Sequence, residues 1–517
     1  MSQNGNKEAW GSRIGLILAV AGNAVGLGNF LRFPVQAAQN GGGAFMIPYF
    51  LFFLILGIPL MWIEWGIGRH GGKHGHNSAP GMFHVLWNNP AAKYLGSLGL
   101  FISLIILIYY TYIESWTLGY SFFSITGKYF NIESFDDMRT FLYSYQGRTE
   151  SVFFANILPA YIFLLITFGL NFWILGRGIS GGIEKLAKIA MPLLFIFGIV
   201  IAIRVITFGT PDPALPDNNV LNGFGFIWNP RLEELGNPSV WLAAAGQIFF
   251  TLSLGMGTIH TYASYLKAKD DIALSGLTTS ATNEFAEVVL GGSIAIPAAV
   301  AFFGVSVTTQ IALGGAFDLG FVSLPLIFSQ IPFGEVFGFL WFLLLFFAGI
   351  TSSVAMGQPI IAFLEDELGV TKKKATLLLG VLVFICINFV VFFLKNGVLD
   401  EMDYWAGTFG LVVFAFIECV LFMWVFKGKK AWDEMNEGGD IRIPKIFYYI
   451  MKYVTPVVLF VIMVWWLIKD AFPILMLHGV SEDNIPYIWG TRFLMLILAG
   501  LILFFVKLAW DRKYKNA

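Results

Sequence analysis

Residues 16 to 31 read LILAVAGNAVGLGNFL, an apolar run long enough to enter a bilayer, with its middle interrupted by Gly22, Asn23, Gly26, Gly28 and Asn29. Apolar segments of roughly 20 residues, the length that crosses a ~30 Å hydrocarbon core, recur down the whole chain with no long polar stretch between them. About twelve candidate spans meet that criterion. They lie near 14–37, 43–69, 92–124, 152–173, 189–208, 240–266, 274–307, 335–364, 375–394, 403–425, 448–470 and 489–508. The pattern predicts an all-α integral membrane protein, a single transmembrane domain over 1–517 with no soluble module. A helix in lipid satisfies its own backbone hydrogen bonds, so a break at membrane depth is tolerated only where it is buried in protein or lines a polar cavity. A second interruption falls in 240–266, VWLAAAGQIFFTLSLGMGTIHTYASYL, around Ser253, Gly255 and Gly257. Each break opens a block of about five spans, and broken helices at matching places in two halves point to an inverted-repeat transporter site. The spans that follow echo each other weakly, as GGGAFMIPYF and GGSIAIPAAV.

Composition agrees with a membrane setting: 57% of the 517 residues are hydrophobic and only 13% charged, with a mean hydropathy of +0.72. A net charge of -1 offers no basic surface for nucleic acid. Lys7, Arg13, Lys185, Lys188, Lys267, Lys269, Lys372, Lys373, Lys374, Lys427, Lys429, Lys430, Arg512, Lys513 and Lys515 fall at the termini and in short loops after even-numbered spans. The positive-inside rule puts those segments, and both termini, in the cytoplasm. The start, MSQNGNKEAWGSR, reads as a cytoplasmic tail (1–13) and not a signal peptide. Cys386 and Cys419 sit in apolar spans and read as free buried thiols.

Two half-helices that meet at a break leave N–H groups at one end and carbonyls at the other, so one end attracts an anion and the other a cation. A zwitterion accompanied by a small hard cation suits both. Asn29, Thr251, Asn283, Thr351 and Ser352 supply neutral oxygens at the same depth, the donors hard cations prefer. Small residues spaced by four also pack helices closely; two matched breaks with oxygen donors beside them favour a site. Intramembrane charges add to this, because they are costly and usually face a cavity or a partner. Glu64 sits in MWIEWG, and Asn283 and Glu287 lie one helical turn apart on one face. Arg32 beyond the first break and Asp403 at the start of a later span would pair as an outer gate; Lys7 and Asp366 would do the same inside. His70, His74, His76 and His84 read as a solvated loop without metal-ligand spacing. The segment 125–151 is expected to shape an outer vestibule around Arg32, Gln36 and Phe317.

The motifs GNAVGLGNFLRFP, GGGAFMIPY, IYYTYIESW, GQIFFTLSLG, NEFAEVVLGGS, FFAGITSSVA and DEMDYWAGT, in this order, resemble the neurotransmitter:sodium symporter family from the tail to the last span. The resemblance implies a LeuT-type inverted repeat of spans 1–5 (14–208) and 6–10 (240–425), with helices 1 and 6 unwound at mid-membrane and two peripheral helices at 448–508. It implies a sodium-coupled symporter of small hydrophobic or neutral amino acids, not an enzyme, working by alternating access in the inner (plasma) membrane. No cofactor is implied, but two bound sodium ions are. One would be held by the Ala24 carbonyl, Asn29, Thr251, Asn283 and the substrate carboxylate. The other would be held by carbonyls of Gly22, Val25 and Ala348 and the hydroxyls of Thr351 and Ser352. The amino acid would meet the unwound backbone of Asn23, Ala24, Gly26, Leu27 and Gly28, the Tyr110 hydroxyl and a cap formed by Phe250. Ile106, Ser253, Met256, Ser352 and Met356 would surround its side chain. A homodimer is compatible with this reading.

Four departures refine the expectation. Gly26 stands where the family's monoamine carriers have an Asp, so the substrate must bring its own carboxylate. Glu287 stands where chloride-dependent members have a small polar residue; a fixed carboxylate beside Asn283, Thr251, Gln247 and Tyr49 would replace the anion, and its protonation would serve the return step. Ile106, Met256 and Met356 replace valine, phenylalanine and isoleucine of the LeuT-type pocket, leaving an apolar and adaptable wall that suits leucine, methionine or alanine. Lys7 replaces the usual arginine and cannot make a planar two-pronged contact. The alternative is a transporter-fold amino-acid sensor that binds without moving its ligand. A channel would show rings of polar pore residues, and an enzyme a nucleophile with its base.

Overall fold

Ten helices among the described residues are long and apolar enough to cross a membrane. They belong to a computed structural model that describes residues 8–514; Lys7 and Lys515 lie outside the described residues. In chain order the elements used below begin with α1 (Arg13–Ala24), α2 (Leu27–Phe30) and α3 (Arg32–Gln39). Next come α4 (Gly43–Lys73), the short α5 (Ala79–Leu86), α6 (Ala92–Ile125), α7 (Leu158–Gly176) and α8 (Ile179–Ile206). The second half opens with α9 (Pro238–Thr251) and α10 (Thr258–Ser264), then α11 (Ile272–Leu313), α12 (Gly334–Asp366), α13 (Lys372–Asn396) and α14 (Val398–Val425). A polar helix α15 (Gly428–Asn436) precedes α16 (Ile446–Leu475) and α17 (Glu482–Lys513). The other two stretches expected to span, 14–37 and 240–266, are the ones the structure divides into short helices.

Burial sorts these helices into centre and edge. The most apolar stretches of α6 and α12 are 89% and 78% buried, whereas those of α16 and α17 are only 22% and 28% buried. Large apolar side chains of the outer helices, such as Trp173, Ile196, Phe460 and Leu496, are exposed, as a surface facing lipid tails requires. α1 packs against α8, α11 and α12, so its broken end is enclosed by protein.

Both breaks have local causes. α1 ends at Ala24, and α2 restarts from Gly26, whose extended backbone serves as its N-cap. Asn29 Oδ1 accepts the Gly26 N–H at 2.9 Å, a reciprocal cap that satisfies a donor the break would leave bare. Between α9 and α10, Ser253, Gly255 and Gly257 take φ of 54°, 74° and 77°. This left-handed backbone strongly favours glycine. At Gly255 a Cβ would stand 2.2 Å from the Leu411 carbonyl oxygen of α14, so the break is also a close approach of two chains.

Polar ends are fastened by ion pairs. Arg69, fully buried at the end of α4, donates to Glu434 of α15 at 2.9 Å and to the carbonyls of Asp270 and Glu437 at 2.7 and 2.8 Å. Lys73 and His70 also reach Glu434. Burial acts to raise the Glu434 carboxyl, but the hydrogen bond from His70, the Arg69 charge and the Lys73 contact outweigh it and hold the group at about 2. A carboxyl depressed in the folded state adds stability above its ordinary value and loses it as pH falls toward its folded value. Wild-type protein is therefore expected to lose about 3 kcal/mol of this contribution between pH ~4.5 and ~2. Thermal unfolding against pH checks this, with E434Q showing no such loss over the same window.

The histidine segment departs from expectation. His76 is 6% exposed and lies 2.5 Å from the Glu367 carboxylate, and His84 faces Trp510 at 5.5 Å between ring centres. His70 and the exposed His74 lie with ring centres 4.5 Å apart and planes tilted by 47°. The segment is a packed corner and not a solvated loop, because its partners come from residues far along the chain.

Candidate functional site

The oxygen donors picked out from separate parts of the sequence converge at the first break. Asn29 Nδ2 donates to Asn283 Oδ1 at 2.8 Å, to Thr251 Oγ1 at 3.1 Å and to Glu287 Oε2 at 3.1 Å. Turned the other way, the Asn283 amide would give up that acceptor and donate instead to the Thr251 and Ala24 carbonyls at 3.1 and 3.2 Å. Ala24, Asn29, Thr251 and Asn283 thus face one point, all fully or nearly fully buried. Thr251, Asn283 and Ala24 bring neutral oxygens of the kind hard cations prefer, while Asn29 turns its Nδ2 to the first two and its Oδ1 to the Gly26 N–H.

A second cluster lies on the opposite side of α1. Ser352 Oγ of α12 reaches the Gly22, Asn23 and Ala348 carbonyls at 3.3, 3.2 and 3.1 Å. Thr351 Oγ1 approaches the Ala348 carbonyl at 3.2 Å, and Gly22 lies so near Thr351 that a Cβ would touch it at 3.0 Å. Val25, fully buried, ends α1 beside them. The absence of a side chain at Gly22 is what lets α12 pack this close, with the Ser352 hydroxyl on the α1 carbonyls.

Backbone groups of the unwound stretches line the space between. Tyr110 Oη accepts the Leu27 N–H at 3.1 Å, and Ser253 Oγ donates to the Asn23 carbonyl at 2.8 Å, tying one break to the other. Asn23 Nδ2 reaches Thr258 Oγ1 at 3.0 Å. A side chain on Gly26 would meet Ser352 Oγ at 3.0 Å and the Tyr110 hydroxyl at 3.1 Å. A cavity of about 290 Å³ opens outward from here, lined by Leu27, Gly28, Tyr109, Tyr110, Phe250 and Asp403 among others. Ile106, Met256 and Met356 are buried and stand outside that lining.

Several expectations are corrected. Arg32 and Asp403 border the same cavity but form no ion pair: the Arg32 guanidinium lies 4.4 Å above the Phe250 ring, and Asp403 accepts from Tyr109 at 2.6 Å. Gln36 and Phe317 line this vestibule, but the segment 125–151 does not; its Arg139 pairs with Asp318 at 2.7 Å instead. Tyr49 lies beside Glu287 as expected but donates to Glu284 at 2.9 Å, while Glu287 receives Gln247 at 2.9 Å and Asn29. Glu284 went unread in the sequence, although its spacing of three from Glu287 is a helical neighbour relation. Asp366 accepts two hydrogen bonds from Asn77, at 2.8 and 3.1 Å, while its expected partner Lys7 lies outside the described residues.

Comparisons with known proteins point one way. The model of the sodium:neurotransmitter symporter family matches residues 7–133 and 160–478. An uncharacterized sodium-dependent transporter of Methanocaldococcus jannaschii is 32% identical over 470 residues, 88% of this chain and 89% of that protein. The sodium-dependent neutral amino acid transporter B(0)AT1 of Mus musculus is 24% identical over 563 residues, 93% of this chain and 85% of that protein. The crystal structure of MhsT in complex with L-phenylalanine superposes with a TM-score of 0.76 at 29% identity, covering 89% of this chain and 99% of that one. A helical membrane bundle with two broken helices, matched along most of its length, is thus a multi-pass member of the sodium:neurotransmitter symporter family, whose members are sodium-coupled transporters and not enzymes.

Proposed function

We propose that this chain is a chloride-independent, sodium-coupled symporter of small hydrophobic and neutral amino acids such as leucine, methionine and alanine, sited in the plasma membrane with both termini in the cytoplasm. The observation that carries the reading is the convergence of Ala24, Asn29, Thr251 and Asn283 beside an unwound backbone and the Tyr110 hydroxyl. One sodium sits among those four groups, and a second among Gly22, Val25, Ala348, Thr351 and Ser352. Gly26 carries no carboxylate, and a side chain there would crowd Ser352 and Tyr110 at 3.0 and 3.1 Å, so the carboxylate beside the first sodium comes from the substrate. That arrangement makes the amino acid part of the ion site and couples the two. The phenylalanine bound in MhsT supports a hydrophobic amino acid here, and the methionines at 256 and 356 suit more than one side-chain shape.

Alternating access follows from two repeats, 14–208 and 240–425, moving about their broken helices, with 448–508 peripheral. Arg32 and Asp403 stand apart across the vestibule and would close over a bound substrate as the outer gate; Lys7 and Asp366 would close the inner one. Uptake of radiolabelled leucine, methionine and alanine into proteoliposomes with and without an inward sodium gradient tests this. Accumulation that follows sodium supports the symporter. Binding without accumulation would instead make the chain an amino-acid sensor.

A further inference from the structure

We propose that Glu64, His260 and Glu418 form a proton-binding site that locks the second helix break, a ligand site separate from the two sodium clusters. All three side chains are fully buried, and their nearest ligand atoms lie within 4.8 Å of one another. They come from α4, α10 and α14. His260 Nε2 is 3.0 Å from Glu418 Oε2 and 4.0 Å from Glu64 Oε2. Glu64 Oε1 accepts the Gly255 N–H at 2.7 Å, so the site is bonded directly to the left-handed backbone between α9 and α10.

Charge decides what must occupy the site. Two ionised carboxylates and a neutral imidazole would place two negative charges in a dry interior, where desolvation strongly disfavours them. No lysine or arginine is at hand to offset them among the described residues. Arg69, the basic residue further along α4, is engaged by Glu434, and Glu367 holds His76. From α5, Phe83 faces the imidazole with ring centres 6.3 Å apart, and Phe414 of α14 faces it at 6.1 Å. On α14 the neighbouring titratable group is Cys419, a free thiol that can carry no positive charge. Glu64 Oε2, both ring nitrogens of His260 and both Glu418 oxygens make no aligned hydrogen bond as they stand, although Nε2 and Oε2 lie close. A proton shared between them supplies the missing donor and lowers the buried charge; such groups titrate as a unit. The Glu64 to Gly255 bond then transmits protonation to the break. If that bond is remade as the helix halves move, pH and transport are linked reciprocally.

The test uses the full-length protein. Infrared pH-difference spectra of the wild type should show a protonated carboxyl band that E418Q removes, whatever amino acid is present. In proteoliposomes, sodium-driven uptake of leucine should change at least fivefold across pH 5.5 to 8.5 in the wild type, and less than twofold in H260Q and in E418Q, with leucine binding kept within threefold. E64Q, whose amide oxygen can still accept from Gly255, should keep binding while shifting the pH profile. The proposal is overturned if the wild type lacks the carboxyl band or if both variants keep its pH profile. Loss of leucine binding in both variants would mark the triad as structural packing, and one equivalent of zinc released by H260Q would make it a metal site; either overturns it too. Failure of the wild type to take up leucine at all would strike the symporter reading, and the infrared result would then decide the proton site alone.

Discussion

Asn29→Ala is expected to abolish useful sodium-driven uptake, raising the sodium concentration needed for half-maximal transport by at least ~30-fold. The side chain works in two directions at once. Its Oδ1 satisfies the Gly26 N–H at 2.9 Å, and its Nδ2 reaches Asn283, Thr251 and Glu287 within 3.1 Å. Truncation leaves a buried donor on the unwound backbone and takes a donor from buried acceptors on two other elements, α9 and α11, and each group left unpaired costs ~1–3 kcal/mol. It also removes the side chain that ties Thr251 and Asn283 of the proposed ion cluster to α2. Two unpaired groups alone correspond to ~2 kcal/mol or more, hence the factor of ~30. Uptake measured against sodium concentration checks this, and a variant within ~threefold of wild type would remove Asn29 from the ion site.

Glu287→Ser should convert a chloride-indifferent transporter into a chloride-dependent one, with uptake at least ~10-fold lower in gluconate than in chloride. The Gln247 and Asn29 amides that now donate to Glu287 at 2.9 and 3.1 Å would be left pointing at a space where an anion can sit. The neighbouring Glu284 complicates the outcome in a useful way. Its carboxylate, gripped by the Tyr49 hydroxyl at 2.9 and 3.1 Å, remains close and repels an incoming chloride. The double variant E287S with E284Q should therefore need less chloride for half-maximal uptake than E287S alone. Equal uptake in gluconate and chloride for both variants would count against Glu287 as the fixed counter-charge.

Much of this site could be read from the chain because the lipid environment leaves few options. A run such as GNAVGLGN cannot remain one apolar helix without exposing polar backbone, so its break marks a cavity from the sequence alone. Asn283 and Glu287 were readable as one face because they are a helical turn apart. What could not be read was partnership across the sequence. Glu64 stood out as a charge inside the membrane, yet nothing local to it names His260 or Glu418, whose carboxylate and ring are supplied by helices far along the chain. Glu284 was hidden for the opposite reason, since Glu287 three residues on already accounted for the local charge. The histidine segment was misread because burial by a distant Glu367 leaves no periodic signature. Arg32 and Asp403 are complementary in sequence and share a cavity, but neither residue encodes how far apart the fold holds them.

The most direct test of the central claim is the uptake of radiolabelled leucine into proteoliposomes under an inward sodium gradient, with external and internal chloride replaced by gluconate. The account predicts accumulation above the external concentration that collapses when the sodium gradient is dissipated and is unchanged by gluconate. Accumulation that persists without a sodium gradient, or that requires chloride, would contradict it.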